Sequence, residues 1–331
     1  MPQDLYAATR DLDLGENVQK IEALVSEKHI FAVEHIRRMR GGTQSQMMRC
    51  SDGYYYVVKF QNNPQGKRFL TNDLLGSLLA KALWLPVAEP VVVEVSREII
   101  ANTEAMVVQL SCWHKPLQEG LCFGSRHPLG KSRLSSSITH RVVHDFLPSE
   151  QMQSIRNIMD VAGMLVFDKW TCNTDNRQTI FVKLRKIYRV MMIDQGFCFN
   201  GGEWNFPDSP YRCLNLYQSV YERMPSFGTF EFWLDRLERD IDRDLLETVA
   251  HEIPPEWYDD DSDPLNRLLD WLDRRRGGIA DLVWGVWKMT RKSFPNRFSV
   301  CNRNTTGFSK MSDPNASINP DNWRAKAAGL K

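Results

Sequence analysis

Residues 165–199 read LVFDKWTCNTDNRQTIFVKLRKIYRVMMIDQGFCF, and the rest of the chain is best understood outward from them. Val161, Leu165, Val166 and Phe167 form an apolar helical run that gives way to the polar loop Thr171-Cys172-Asn173-Thr174, and Asp175 follows. Downstream, Val190-Met191-Met192-Ile193 is a short apolar strand closed by Asp194, with Gln195-Gly196 behind it. Helix, acidic loop, hairpin and Asp-x-Gly turn place two carboxylates in the order that phosphoryl transfer uses. One carboxylate orients the attacking hydroxyl, and the second holds magnesium on the nucleotide phosphates. An Asp with a Gly two residues on is, taken alone, a common strand-ending turn. The ordered pair carries the reading.

The N-terminal part supplies the phosphate chemistry. Lys59 ends an apolar run over residues 55–60, and burying a lysine unpaired is costly, so it either faces water or meets a carboxylate. The apolar stripe Leu70, Leu74, Leu78, Leu79 and Ala82 predicts a helix over residues 68–83, and that helix offers Asp73 on its first turns. Upstream, Gly41-Gly42 lets backbone N–H groups approach phosphate oxygens without Cβ hindrance, and Thr43 and Ser45 add hydroxyls. Glycine loop, lysine strand, acidic helix, first Asp and second Asp follow the order of a kinase-like fold. The fold expected is therefore α+β: a two-lobed protein kinase-like fold with a β-rich N-lobe and a mainly helical C-lobe.

Strands are expected over residues 18–25, 29–39, 54–60, 105–110 and 121–124, as well as Gln46–Cys50 and Pro90–Val95, with Ser51-Asp52-Gly53 as a hairpin turn. Residues 131–139 (KSRLSSSIT) read as an exposed loop near the junction of the lobes. Helices are expected over 150–167, 230–251, 264–275 and 279–288. The division is 1–126 for the N-lobe, 127–290 for the C-lobe and 291–331 for a polar, loosely packed tail.

Composition narrows the class. Lys and Arg number 42 against 41 Asp and Glu, a net charge of +1 that offers no basic excess for nucleic acid or a membrane surface. No apolar run approaches the roughly 18 residues of a membrane span, and the acidic start MPQDLYAATRDLDLGEN lacks a signal-peptide core. The seven cysteines form no C-x-x-C pair and no zinc spacing, which suits reduced thiols in a cytoplasmic protein.

Asn173-Thr174-Asp175 resembles the G-N-T-D catalytic loop of the HipA-like kinases, with Cys172 in place of the glycine. Asn72-Asp73-Leu74-Leu75 and Leu79-Ala80-Lys81-Ala82-Leu83-Trp84-Leu85-Pro86-Val87 resemble that family's N-E…L-A-x-x-L-G-L-P-V helix, with Asp73 for Glu and Trp84 for Gly. The likeness covers roughly residues 36–287. It implies a kinase that uses ATP and Mg2+ and transfers the γ-phosphoryl group to a Ser or Thr hydroxyl of a protein. It would give Asp175 the catalytic role and Asp194 the metal. Lys59, Gly41, Gly42, Thr43, Asp73, Phe123 and Ser125 would line the nucleotide. The interlobe hinge is either residues 121–126 or residues 106–110, and the sequence leaves both open.

The pattern also departs from the family. Its loop continues D-x-H-x-K-N, the Asn being a second metal ligand; here Arg177 replaces the His and Ile180 the Asn, and Gln178 is the nearest amide able to offer magnesium an oxygen. A nucleotide-binding pseudokinase acting as an interaction module is therefore an alternative. So is a small-molecule or lipid kinase, or an AMP transferase, on the same scaffold. An antitoxin-like or regulatory partner is a further implication of the likeness. Asp168 rivals Asp175, because Asp168 and Asn173 share the D-x-x-x-x-N spacing of protein-kinase catalytic loops. Asp175 is preferred because it lies in the polar loop, whereas Asp168 ends an apolar helix.

Overall fold

The computed structural model describes residues 29–131, 142–209, 211–214, 218–224 and 226–289. The strand expected over 18–25, most of the Ser-rich loop and the polar tail lie outside the described residues. The N-terminal part is a closed barrel built from β1 (Ile30–Arg38), β2 (Gln46–Cys50), β3 (Tyr54–Lys59), β4 (Pro90–Val95) and β7 (Gly120–Lys131), in the order β1-β2-β3-β7-β4. Ser51-Asp52-Gly53 turns β2 into β3 as expected: Gly53 N–H donates to the Cys50 carbonyl at 2.9 Å, and Asp52 accepts from the Tyr54 N–H and the Tyr56 hydroxyl. A short α2 (Arg97–Ala101) leads to a separate two-stranded sheet, β5 (Val107–Leu110) with β6 (Trp113–Pro116).

Helix α1 (Arg68–Ala82) is buried on nearly every face, because it lies between the barrel and the helical part and touches both. The helical part opens with β8 (Val142–His144), which pairs with the hairpin β9 (Thr179–Leu184) and β10 (Ile187–Met192). Around α3 (Asp160–Trp170) pack α5 (Gly228–Asp240) and α8 (Ile279–Met289). The remaining α-helices among the described residues are α4 (Gln218–Tyr221), α6 (Arg243–His251) and α7 (Ser262–Arg275). One apolar core runs from α1 through α3 to α8. No helix among the described residues is long and apolar enough to cross a membrane.

Three expectations need correction. Residues 150–167 are not one helix. A 3-10 turn (Ser149–Ser154) ends at an extended Ile155 that bridges to Tyr188, and the Asn157 side chain bonds both the N–H and the carbonyl of Val190. Strand β10 takes the backbone there, and the helix begins only at Asp160. Residues 230–251 break at Ile241, which is extended, because Asp242 caps a new helix by accepting from Leu245 N–H at 2.8 Å. The apolar spacing ran on across the break because both helices face the same core. Finally, β7 is far longer than residues 121–124 and runs through the division read at 126. It finds partners on both sides, β3 and β4, and we place the end of the N-terminal part after it.

Both helices that bear motif residues end in the same way. After α1, Trp84 N–H donates to the Lys81 carbonyl at 2.8 Å and Leu85 N–H to that of Ala80 at 2.9 Å; after α3, Cys172 N–H donates to Lys169 at 3.4 Å and Asn173 N–H to Asp168 at 2.9 Å. These are Schellman ends, whose pivotal residue adopts a left-handed conformation and is usually glycine. Here the pivots are Trp84 (φ 62°) and Cys172 (φ 48°), the two positions where the motifs carry another residue in place of glycine.

Candidate active site

A cleft of about 420 Å³ brings together the residues singled out in the sequence, a volume ordinary for a small-molecule site. Gly41, Gly42 and Thr43 come from the turn between β1 and β2, Lys59 from the end of β3, and Asp73 from α1. Phe123 and Ser125 belong to β7, Asp175 and Gln178 lie between α3 and β9, and Asp194 follows β10. Gly41 has φ 127°, a conformation closed to residues with a Cβ, so the turn is shaped by its glycine. Of the two hinge candidates, the β7 side lines the cleft, through Phe123, Ser125, Arg126 and His127; residues 106–110 belong to the outlying β5–β6 sheet and do not line it.

Lys59 stands between two carboxylates. Its Nζ donates to Asp73 Oδ2 at 2.7 Å and to Asp194 Oδ1 at 2.9 Å. Burial alone would push the ammonium pKa down, but Asp194 and Asp73 outweigh it and raise it. Asp73, the deeper carboxylate, is pushed up to about 6 by burial, with Asp194 adding to the rise against the pull of Lys59. In Asp194 burial also pushes upward, yet Lys59, the Gly196 N–H and Arg177 hold its carboxyl below the usual range. One cation against two acids leaves negative charge beside the cleft, and Asp194, a quarter exposed, presents it there.

The loop after α3 separates the two rival aspartates by their surroundings. Asp168 is fully buried and clamped by Arg177, with Nε donating to Oδ2 at 2.9 Å and Nη2 to Oδ1, while Asn173 Nδ2 donates to it at 3.1 Å. Asp175 is partly exposed in the cleft; its N–H is held by Asn173 Oδ1 at 3.1 Å, and Gln178 Nε2 donates to its Oδ2 at 3.2 Å. Of the two, only Asp175 lines the cleft. Ile180 also lines the cleft, on β9. Cys172, Cys198 and Cys213 are buried free thiols around this loop, and burial raises the pKa of each.

Three residues hold the assembly and had no role in the sequence reading. Asn72 Nδ2 donates to the carbonyls of Gly196 (2.8 Å), Cys198 (3.1 Å) and Gly201 (2.8 Å), and its Oδ1 accepts from Trp204 Nε1 at 2.8 Å. Helix α1 is thereby tied to the segment behind Asp194. Gln195 N–H donates to Asp73 Oδ1 at 2.9 Å. Arg177 reaches Gln195 Oε1 at 2.7 Å and the Ile193 carbonyl at 3.0 Å. Asn72 stood inside a quoted motif, and its full burial was the missing signal; Arg177 was legible only as a departure.

The donor set suits a magnesium ion carried on nucleotide phosphates. Among the described residues no three His, Cys, Asp or Glu side chains gather into a cage of their own. Asp194 and the Gln178 amide line the cleft and offer the one or two protein oxygens that such an ion takes, phosphates and water supplying the rest.

Residues 32–188 match the HipA-like kinase family, which covers the barrel, α1, the loop of Asp175 and most of the following hairpin. The motif resemblance thus extends to a match over these residues, and the architecture is α+β, as expected. No match is found among curated proteins. The proinflammatory kinase CtkA of Helicobacter pylori is similar in structure at 13% identity and TM-score 0.48, over 79% of this chain and 99% of that one. Fam20 of hydra, solved with sugar, gives 12% and 0.45, over 88% and 93%. HipA of Shewanella oneidensis, solved with HipB and operator DNA, gives 12% and 0.43, over 84% and 73%.

Proposed function

We propose that this protein is a HipA-like kinase that transfers the γ-phosphoryl group of MgATP to a Ser or Thr hydroxyl of a protein. The observation that carries the reading is the Lys59 bridge to Asp73 and Asp194 in one cleft with an open Asp175. Asp73 holds the Lys59 ammonium in place, where it meets the α- and β-phosphates. The Gly41-Gly42 turn offers backbone N–H groups to the same phosphates. Magnesium, when bound, neutralises charge on the phosphate oxygens. Asp194, kept ionised, and Gln178 would hold it. Asp175 orients the acceptor hydroxyl and takes its proton. Catalysis of this kind is mainly positioning and charge neutralisation. The protein acceptor and an antitoxin-like or regulatory partner belong to this proposal through family likeness alone.

A second reading, a pseudokinase that binds nucleotide without transfer, is favoured by one observation: Ile180 presents an apolar side chain where the family motif has a metal-binding Asn. Intact mass spectrometry after incubation with MgATP, with Asp175→Asn beside the wild type, tests both. A gain of one phosphate, lost in Asp175→Asn by at least about 100-fold in rate while ATP binding persists, is the expected result. A gain of one AMP would establish nucleotide transfer instead. A melting temperature raised by MgATP with no mass gain on any acceptor would favour the pseudokinase, and one unmoved by MgATP would remove the nucleotide site altogether.

A further inference from the structure

Arg177 is nearly wholly buried, and its guanidinium is shared between two loops. On one side Nε and Nη2 grip both oxygens of Asp168. Asp168 in turn accepts from Asn173, and Asn173 accepts the Asp175 N–H. On the other side Nη1 meets the Ile193 carbonyl at 3.0 Å and Gln195 Oε1 at 2.7 Å, with the Asp194 carbonyl at 3.5 Å. Gln195 N–H then reaches Asp73, which holds Lys59. A chain of buried polar groups therefore runs from the backbone of Asp175 to the backbone of Asp194 and on to Lys59, and Arg177 is its central member.

Gln195 shows what this arrangement demands. An arginine can only donate, so the amide must present its oxygen, and the nitrogen is left buried without a hydrogen-bond partner. An orphaned buried donor is unfavourable, so the amide is held in this orientation by the guanidinium. A planar fork with donors on three sides can serve a carboxylate and a row of carbonyls together, which a lysine ammonium cannot.

We propose that Arg177 is a positioning residue for phosphoryl transfer: it sets the separation and orientation of the Asp175 loop relative to the Asp194 loop. The inference rests on the kinase reading for its consequence in catalysis, and on geometry alone for the mechanical link.

The test uses the full chain carrying Arg177→Lys, which keeps the charge beside Asp168 and loses the fork. Hydrogen exchange of residues 193–198 is expected to quicken at least about tenfold while strand β4 is unchanged, a result readable whether or not the protein transfers phosphate. In phosphoryl transfer, kcat should fall about tenfold or more and the magnesium requirement should rise, with KM for ATP little changed. Loss of stability alone would leave kcat per folded molecule where it was. Gln195→Met, which keeps the Asp168–Arg177 pair and removes one acceptor, should shift both readouts in the same direction by a smaller factor, and it decides the matter if Arg177→Lys does not fold. Unchanged exchange at 193–198 overturns the link. Quickened exchange with wild-type kcat and magnesium requirement overturns the positioning role. No transfer by the wild type, beside quickened exchange, would sink the kinase reading and keep the link.

Discussion

Two buried clusters of acid and base lie side by side in this molecule, and their stoichiometry separates their roles. In the first, Lys59 faces two carboxylates, Asp73 and Asp194, and the outer carboxylate is partly open to the cleft. In the second, Arg177 faces Asp168 alone, both are sealed from water, and the remaining guanidinium donors go to backbone and amide oxygens. The balanced cluster has closed valences and offers no free group to a ligand, so it can act only by holding other residues in place. The unbalanced one carries surplus negative charge at a cleft and is able to accept a cation. Burying charge unpaired is costly, so the surplus is tolerated where solvent or ligand can reach it.

The largest expected effect breaks the balanced cluster. Asp168→Ala strands a buried guanidinium and should lower stability by about 3–5 kcal/mol, read as a shift of the urea midpoint at constant slope. A loss under 1 kcal/mol would show that Arg177 does not depend on Asp168.

The unbalanced cluster should respond the other way. Asp194→Asn leaves Lys59 paired with Asp73, so stability without ligand should change by no more than about 1 kcal/mol. The stabilisation by MgATP, about 2.7 kcal/mol for the wild type at one hundred times Kd, should drop toward that given by ATP without magnesium. Equal losses with and without the metal would make Asp194 a turn residue only.

A pH series sharpens the contrast further. The folded-state pKa of Asp73, about 6, lies above its ordinary 3.8, so between those values the folded protein keeps a proton that the unfolded chain has lost. The contribution of Asp73 to stability therefore falls as pH rises from about 4 to 6 and is level above that. Urea denaturation of the wild type and Asp73→Asn across this window should show their difference declining with pH; a rising difference would reverse the assignment.

The smallest effect concerns the loop that leads from Asp168 to Asp175. Cys172 holds a left-handed conformation there, which costs a residue with a Cβ about 1 kcal/mol or slightly more. Cys172→Gly should consequently be more stable than Cys172→Ala by about 1 kcal/mol, although glycine buries less. Thermal unfolding of the two variants decides it.

Much of this was legible in the sequence because the signals were local. Hairpin turn, apolar helix stripe, strand-ending Asp and the motif order are all short-range features, and the structure sets Gly41, Lys59, Asp73, Asp175 and Asp194 around one cleft. The misread helix boundaries share one cause. Asn157 and Asp242 are polar interruptions whose effect depends on a distant strand or a cap, while apolar periodicity runs on regardless.

By itself the sequence determined the order of the chemistry-bearing residues and the alternation of strand and helix, since both follow from nearest-neighbour preferences and the burial of apolar stripes. Only the tertiary structure sealed Asp168 beneath Arg177 and left Asp175 lining the cleft, placed β7 rather than β5 there, and found partners for Asn72, Arg177 and Gln195. A side chain's charge and donors can be read from its letter. Whether water or a buried partner satisfies them is a property of what packs around it, and the two partners Lys59 and Asp194 lie 135 positions apart along the chain.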